Sequence, residues 1–135
     1  MATVLVVDDD ESIRNILEKF LTRLGHKVII AHGGIEALEK MAEKPDIVLL
    51  DIGMPDLQGL KVLDRIREMK QSTDVIMMTG IDEHVVGVES LKRGASEFIT
   101  KPFDLNHLER LIDLKLLEKG LEIELDKEAP WIPKE

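Results

Sequence analysis

"PDIVLLDIGMPDLQG", residues 45–59, decides the fold. Ile47 to Leu50 are apolar at every position, the mark of a strand covered on both faces, and the run stops on the carboxylate of Asp51. The chain then turns at once through Gly53, Met54 and Pro55. Either Asp51 merely opens a loop, or it is the residue the strand exists to hold.

Outward from this stretch, four more short apolar runs alternate with helical patterns. "TVLVV" (3–7), "KVIIA" (27–31), "DVIMMTG" (74–80) and "EFIT" (97–100) are predicted strands. Between them lie amphipathic segments with apolar residues three and four apart. The first has Ile13, Ile16, Leu17, Phe20, Leu21 and Leu24 closed by Gly25, and the others cover 34–44, 60–69, 83–94 and 104–120. Asp104 is the expected N-cap of the last, with Gly94 and Gly120 as stops. Strand alternating with helix implies right-handed crossovers and a doubly wound parallel α/β sheet covered on both faces.

The chain has 135 residues, the size of one domain, and no room for a second catalytic one. Aromatic residues make up 3% of it, so the core must be built from Val, Ile, Leu and Met. Cysteine is absent, which excludes disulfides, thiolate chemistry and cysteine-bound metals. A net charge of −9, spread along the chain, disfavours direct nucleic-acid binding, because phosphate backbones are held by clustered cations. No secretion signal or membrane span is evident, and the expected location is cytoplasmic.

Ligands in such sheets bind at the carboxyl ends of the strands. There the sequence places Asp8, Asp9 and Asp10 after the first strand, Asp51 after the third, Thr79 and Gly80 after the fourth, and Lys101 with Pro102 after the fifth. Crowded carboxylates must be neutralised by protons or a cation, and hard oxygen ligands select Mg²⁺ or a similar ion that also meets phosphate oxygens. Taken singly, each residue has an ordinary explanation: a turn and helix cap for Asp8–Asp10, a turn initiator for Asp51, a satisfied loop hydroxyl for Thr79, a surface lysine for Lys101. Their joint placement at one end of the sheet defeats those explanations. The four histidines lack metal-site spacing.

In order and spacing, "VVDDD", "LLDIGMPDLQG", "MMTG" and "FITKPF" resemble the receiver domain of bacterial two-component response regulators, chemotaxis-regulator-like, over roughly Thr3 to Leu117. The resemblance implies a flavodoxin-like sheet of order 2-1-3-4-5, with a receiver at 1–119 and a C-terminal extension or linker remnant at 120–135. It implies that Asp51 accepts a phosphoryl group from a sensor histidine kinase or a histidine phosphotransfer protein. Asp9, Asp51 and the backbone carbonyl of Gly53 would hold Mg²⁺ (or Mn²⁺), with Asp8 acting mostly through water. Lys101 would pair with Asp51 and then with a phosphoryl oxygen, aimed inward by a cis peptide before Pro102. Thr79 would donate its hydroxyl and Gly80 its backbone N–H to the same group. Such a domain catalyses its own phosphorylation and dephosphorylation but works as a switch. Thr79 and Phe98 would move together and repack the face of the fourth helix, fifth strand and fifth helix, where Lys92, Arg93, Glu97 and Arg110 would meet a downstream protein, an output domain or a second copy of the chain.

Gly53 and Ile81 stand where the family influences water access to the acyl phosphate, so the phosphoryl lifetime stays open. A dehalogenase-type phosphatase would want an acid where Gly53 stands, and a dinucleotide module would want glycines where Asp8–Asp10 stand. After Gly120, the alternation of Leu121, Ile123 and Leu125 with acids reads as strand or continued helix, and Pro130, Trp131 and Pro133 forbid regular helix beyond it. A stand-alone receiver is expected, with an excised module of a longer regulator as the alternative.

Overall fold

The computed structural model describes residues 2–80 and 84–120. Its strands are β1 (Thr3–Val7), β2 (Lys27–Ala31), β3 (Ile47–Asp51), β4 (Asp74–Thr79) and β5 (Glu97–Thr100). All pair in parallel, in the order β2-β1-β3-β4-β5. The helices are α1 (Glu11–Arg23), α2 (Gly34–Lys40), α3 (Gly59–Glu68), α4 (His84–Lys92) and α5 (Leu105–Glu118).

Side chains alternate across the sheet and divide the core in two. Leu5, Val7, Val48, Leu50, Val75 and Met77 face α2 and α3, while Val4, Val6, Ile47, Leu49, Ile76 and Met78 face α1 and α5 through Leu17, Leu21, Leu108, Ile112 and Leu116. Each of these strand residues is fully buried, and each such side chain contributes roughly 1.5–3 kcal/mol relative to exposure. β3 is buried along its whole length, which is why its sequence shows no alternation.

Three expected boundaries move. The helix predicted over 34–44 ends as an α-helix at Lys40 and tightens into a 3₁₀ turn at Met41–Glu43, with Lys44 left-handed at φ 52°. Pro45 disfavours right-handed helix at the residue before it, so the chain must leave the helix there. Asp51 and Thr79 are the last residues of their strands rather than the first of the loops, because the β3–β4 ladder runs on to Asp51 opposite Met78 and the β4–β5 ladder to Thr79 opposite Thr100. The expected caps are in place: Asp104 accepts from the Asn106 N–H, and Gly25, Gly94 and Gly120 follow their helices at positive φ. Residue 81 and the extension after Gly120, including Trp131, lie outside the described residues.

Candidate functional site

Three strand ends supply the site. β1 delivers Asp8 and Asp9, β3 delivers Asp51, and the segment after β5 delivers Lys101. The Asp8, Asp9 and Asp51 carboxylates each place an oxygen within 4.8 Å of the others. Asp10, the third acid of the run, stands apart and caps α1 by accepting from the Ser12 N–H. For Asp10 the ordinary explanation, a helix cap, holds.

Asp8 is fully buried, and every hydrogen-bonding group of it is engaged. One carboxylate oxygen accepts from the Asp10 N–H at 2.9 Å, and the other accepts from Lys101 Nζ at 2.8 Å. Its backbone carbonyl accepts from Arg14 of α1 at 2.8 Å, a contact that no sequence motif announces. The Lys101 ammonium is shared: it also donates to Asp51 Oδ1 at 3.2 Å. Asp51 was the expected partner of Lys101, yet Asp8 lies nearer. A fully buried carboxylate has no water to compensate it and takes the larger share of the cation. The Lys101–Pro102 peptide is cis.

Three carboxylates against one ammonium leave an excess of negative charge. The consequence appears at Asp51, whose side chain is 10% exposed. Burial, and then the charge of Asp8, push its carboxyl up to about 6, and Lys101 and the Gly53 N–H only partly offset them. Burial pulls the Lys101 ammonium down, but its bond to Asp8 and the charge of Asp51 prevail and hold it above its usual range. Oxygen-only donors with unbalanced negative charge, an exposed Asp9 at the mouth and an exposed Gly53 beside it fit a hard divalent cation.

Thr79 is fully buried one strand over, and its hydroxyl donates to the Ile99 carbonyl of β5 at 3.2 Å rather than to the carboxylates. A buried hydroxyl must find an acceptor, and in this arrangement β5 provides it. Gly80 follows directly. Phe98 is half-buried on the α2–α3 face, edge-on to His84 at 5.3 Å, against the backbone of Gly87 in α4. A Cβ at Gly87 would stand 2.6 Å from the ring, so glycine is what admits Phe98 there. Arg93, just past the end of α4, is exposed and bonds Asp64 of α3 at 3.1 Å and Glu89 at 3.3 Å.

The loop after Asp51 is anchored rather than loose. Met54, 4% exposed, plugs into the core, and the Gly59 N–H closes onto the Ile52 carbonyl at 2.8 Å. Gly59 lies so close to Asp51 that a Cβ would collide with the Asp51 carbonyl oxygen. Asp56 also lies on this loop and bonds α2, a contact that no motif announces.

The family model for the response regulator receiver domain matches residues 4–113. The chain is 44% identical over 101 residues to the alkaline phosphatase synthesis transcriptional regulatory protein PhoP of Bacillus subtilis, covering 74% of this chain and 42% of that protein. It is 35% identical over 123 residues to the regulatory protein AtoC of Escherichia coli, covering 90% and 27%. It thus spans less than half the length of both. Among solved structures, a response regulator receiver domain protein from Clostridium thermocellum superposes with a TM-score of 0.84 at 28% identity, covering 89% of this chain and 98% of that one. Among the described residues, no helix is long and apolar enough to cross a membrane.

Proposed function

The chain belongs to the response regulator receiver domain family, and on that premise we propose that Asp51 is its phosphoacceptor, loaded from a phosphohistidine and read out by a protein partner. The observation that carries this reading is the sharing of one Lys101 ammonium between a fully buried Asp8 and Asp51, whose side chain keeps a small opening to solvent. Each Asp8 oxygen already takes a donor from the protein, which leaves Asp51 the carboxylate better placed to react.

In the transfer, an Asp51 carboxylate oxygen forms the new O–P bond as the P–N bond of the donor breaks, and the imidazole leaves with the electron pair. Lys101 exchanges its Asp51 contact for a phosphoryl oxygen while keeping Asp8, which holds the ammonium in place throughout. Asp9, Asp51 and the Gly53 carbonyl would hold Mg²⁺ or Mn²⁺, with Asp8, its oxygens already engaged, acting through water. That ion supplies charge neutralisation on the transferred group. The donor is a sensor histidine kinase or histidine phosphotransfer protein. It would meet the apolar groove of about 490 Å³ that Ile13, Ile16, Leu17, Pro102, Phe103 and Leu105 form beside Lys101.

The phosphoryl group brings roughly −2 charge and three acceptors. Thr79 then turns its hydroxyl from Ile99 to a phosphoryl oxygen, the Gly80 N–H meets another, and Phe98 moves inward past Gly87. Lacking a hydroxyl, Phe98 is drawn by apolar burial alone. Val85, Val88 and Leu91 of α4 are exposed and would carry the change to a downstream protein, an output domain or a second copy. The acyl phosphate makes the domain a catalyst of its own loading and release, working as a cytoplasmic switch. Residues 1–119 constitute the receiver and 120–135 an extension.

Acetyl phosphate with Mg²⁺ tests the reading by intact mass. The expected outcome is a gain of one phosphoryl group that requires the metal and vanishes in Asp51→Asn; a gain that persists in the variant overturns it.

A further inference from the structure

We propose that Asp56 is a positioning residue for the metal and phosphoryl site, holding the β3–α3 loop on α2 and so fixing where the Gly53 carbonyl stands. The proposal rests on the reading above that this carbonyl is a ligand.

α2 starts without a cap of its own. Its N-cap is Gly33, which has no side chain to accept from the free N–H groups of the first turn. Asp56, far along the chain, takes that role: Oδ1 accepts from the Gly34 N–H and Oδ2 from the Ile35 N–H, each at 3.1 Å. Oδ1 also accepts from the Leu57 N–H at 2.8 Å, which locks the side chain to its own loop. A Cβ at Gly33 would stand 2.7 Å from both carboxylate oxygens, so the missing cap and the borrowed one are two sides of one arrangement. These N–H donors hold the Asp56 carboxyl below its usual range.

Gly53 lies between Ile52 and Met54, whose side chains enter the core, but Gly53, Pro55 and Asp56 are themselves exposed. The outer half of the loop therefore has two polar ties: the Gly53 N–H donates to Asp51 Oδ1 at 3.4 Å, a long bond within the site itself, and Asp56 is the tie that reaches α2. Groups that orient a ligand without touching the metal commonly change affinity by about 10–100-fold when removed.

The test titrates Mg²⁺ alone into the full chain and follows the backbone amide shifts of Asp9, Asp51 and Gly53. Asp56→Ala should weaken Mg²⁺ about tenfold, the lower end of the range for such orienting groups. Asp56→Asn keeps one acceptor and should fall between. Ser96→Ala removes a 2.7 Å bond to Asp74 at the far end of the sheet, so it serves as a control for lost stability and should keep the parent affinity. If Asp56→Ala and Asp56→Asn lower the melting temperature yet bind Mg²⁺ like the parent, Asp56 is only a helix cap and the proposal fails. Absence of Asp51-dependent shifts in the parent chain instead removes the metal site, and the proposal with it.

Discussion

Lys101 and Lys119 stand at opposite ends of the sheet, each with a side chain 22% exposed, and each draws separate elements together. At the carboxyl end, Lys101 meets two carboxylates, Asp8 and Asp51. At the amino end, Lys119 donates to two backbone carbonyls, Asp46 at 2.7 Å and Ser72 at 2.6 Å, with the Asp74 carboxylate 3.5 Å away. The same side chain thus closes one end and primes the other. Carbonyls are neutral, and the Asp74 carboxylate lies near enough to offset the ammonium, so Lys119 faces no crowd of carboxylates. The carboxyl end holds more anion than one ammonium can balance, and the surplus shows as the raised Asp51 carboxyl.

Replacing each lysine by methionine separates the two ends most widely. Lys101→Met strands the buried Asp8 and should cost about 3–5 kcal/mol at pH 8, the usual penalty for leaving a buried charge unpaired. The deficit should shrink toward pH 5 as Asp51, its carboxyl already held at about 6, takes up a proton and no longer repels Asp8. Lys119→Met loses two bonds to carbonyls and should cost about 1–2 kcal/mol with little pH dependence. Phosphorylation by acetyl phosphate should collapse in the first and persist in the second. Urea unfolding at both pH values checks the energies, and equal, pH-independent losses would erase the distinction.

The sequence marked one of these lysines and passed over the other for a physical reason. Lys101 sits beside Pro102 at a strand end, opposite acids at other strand ends, so residue type and topology together identify it. Lys119 bonds carbonyls, which every residue possesses, and no residue pattern encodes them. The same limit hid the cap that Asp56 lends α2, since Gly33 signals only that a cap is missing. Strand alternation, helix periodicity and the glycine stops were legible because they are local. The turn of Thr79 toward Ile99 was not, because the acceptor lies on the neighbouring strand.

Removing the charge at Asp51 should have a smaller and opposite effect. A carboxyl held at about 6 in the folded chain, against an ordinary 3.8, binds its proton more tightly when folded. Its contribution is full below pH 3.8 and is lost as pH rises through 6. Asp51→Asn escapes that loss, so it should match the parent near pH 3.5 and exceed it by about 3 kcal/mol at pH 7.5. Thermal unfolding across this range checks the sign, and a variant less stable than the parent at pH 7.5 would mean that Lys101 fully compensates the carboxylates.

The mildest substitution probes the amino end. Asp74 accepts from Ser96 Oγ through Oδ1 at 2.7 Å, and only its Oδ2 faces Lys119. Asp74→Asn keeps an oxygen for Ser96 and leaves Lys119 its two carbonyls, so what is removed is a partly exposed ion pair and the weaker pull of the same charge on Arg67. Such pairs contribute about 0–1 kcal/mol. The expected loss is therefore below that of Lys119→Met, shrinks as salt screens it, and leaves Mg²⁺ binding and phosphorylation untouched. A loss as large as that of Lys119→Met would mean that the carboxylate, not the carbonyls, anchors Lys119, and both ends of the sheet would then be held by the same kind of charge.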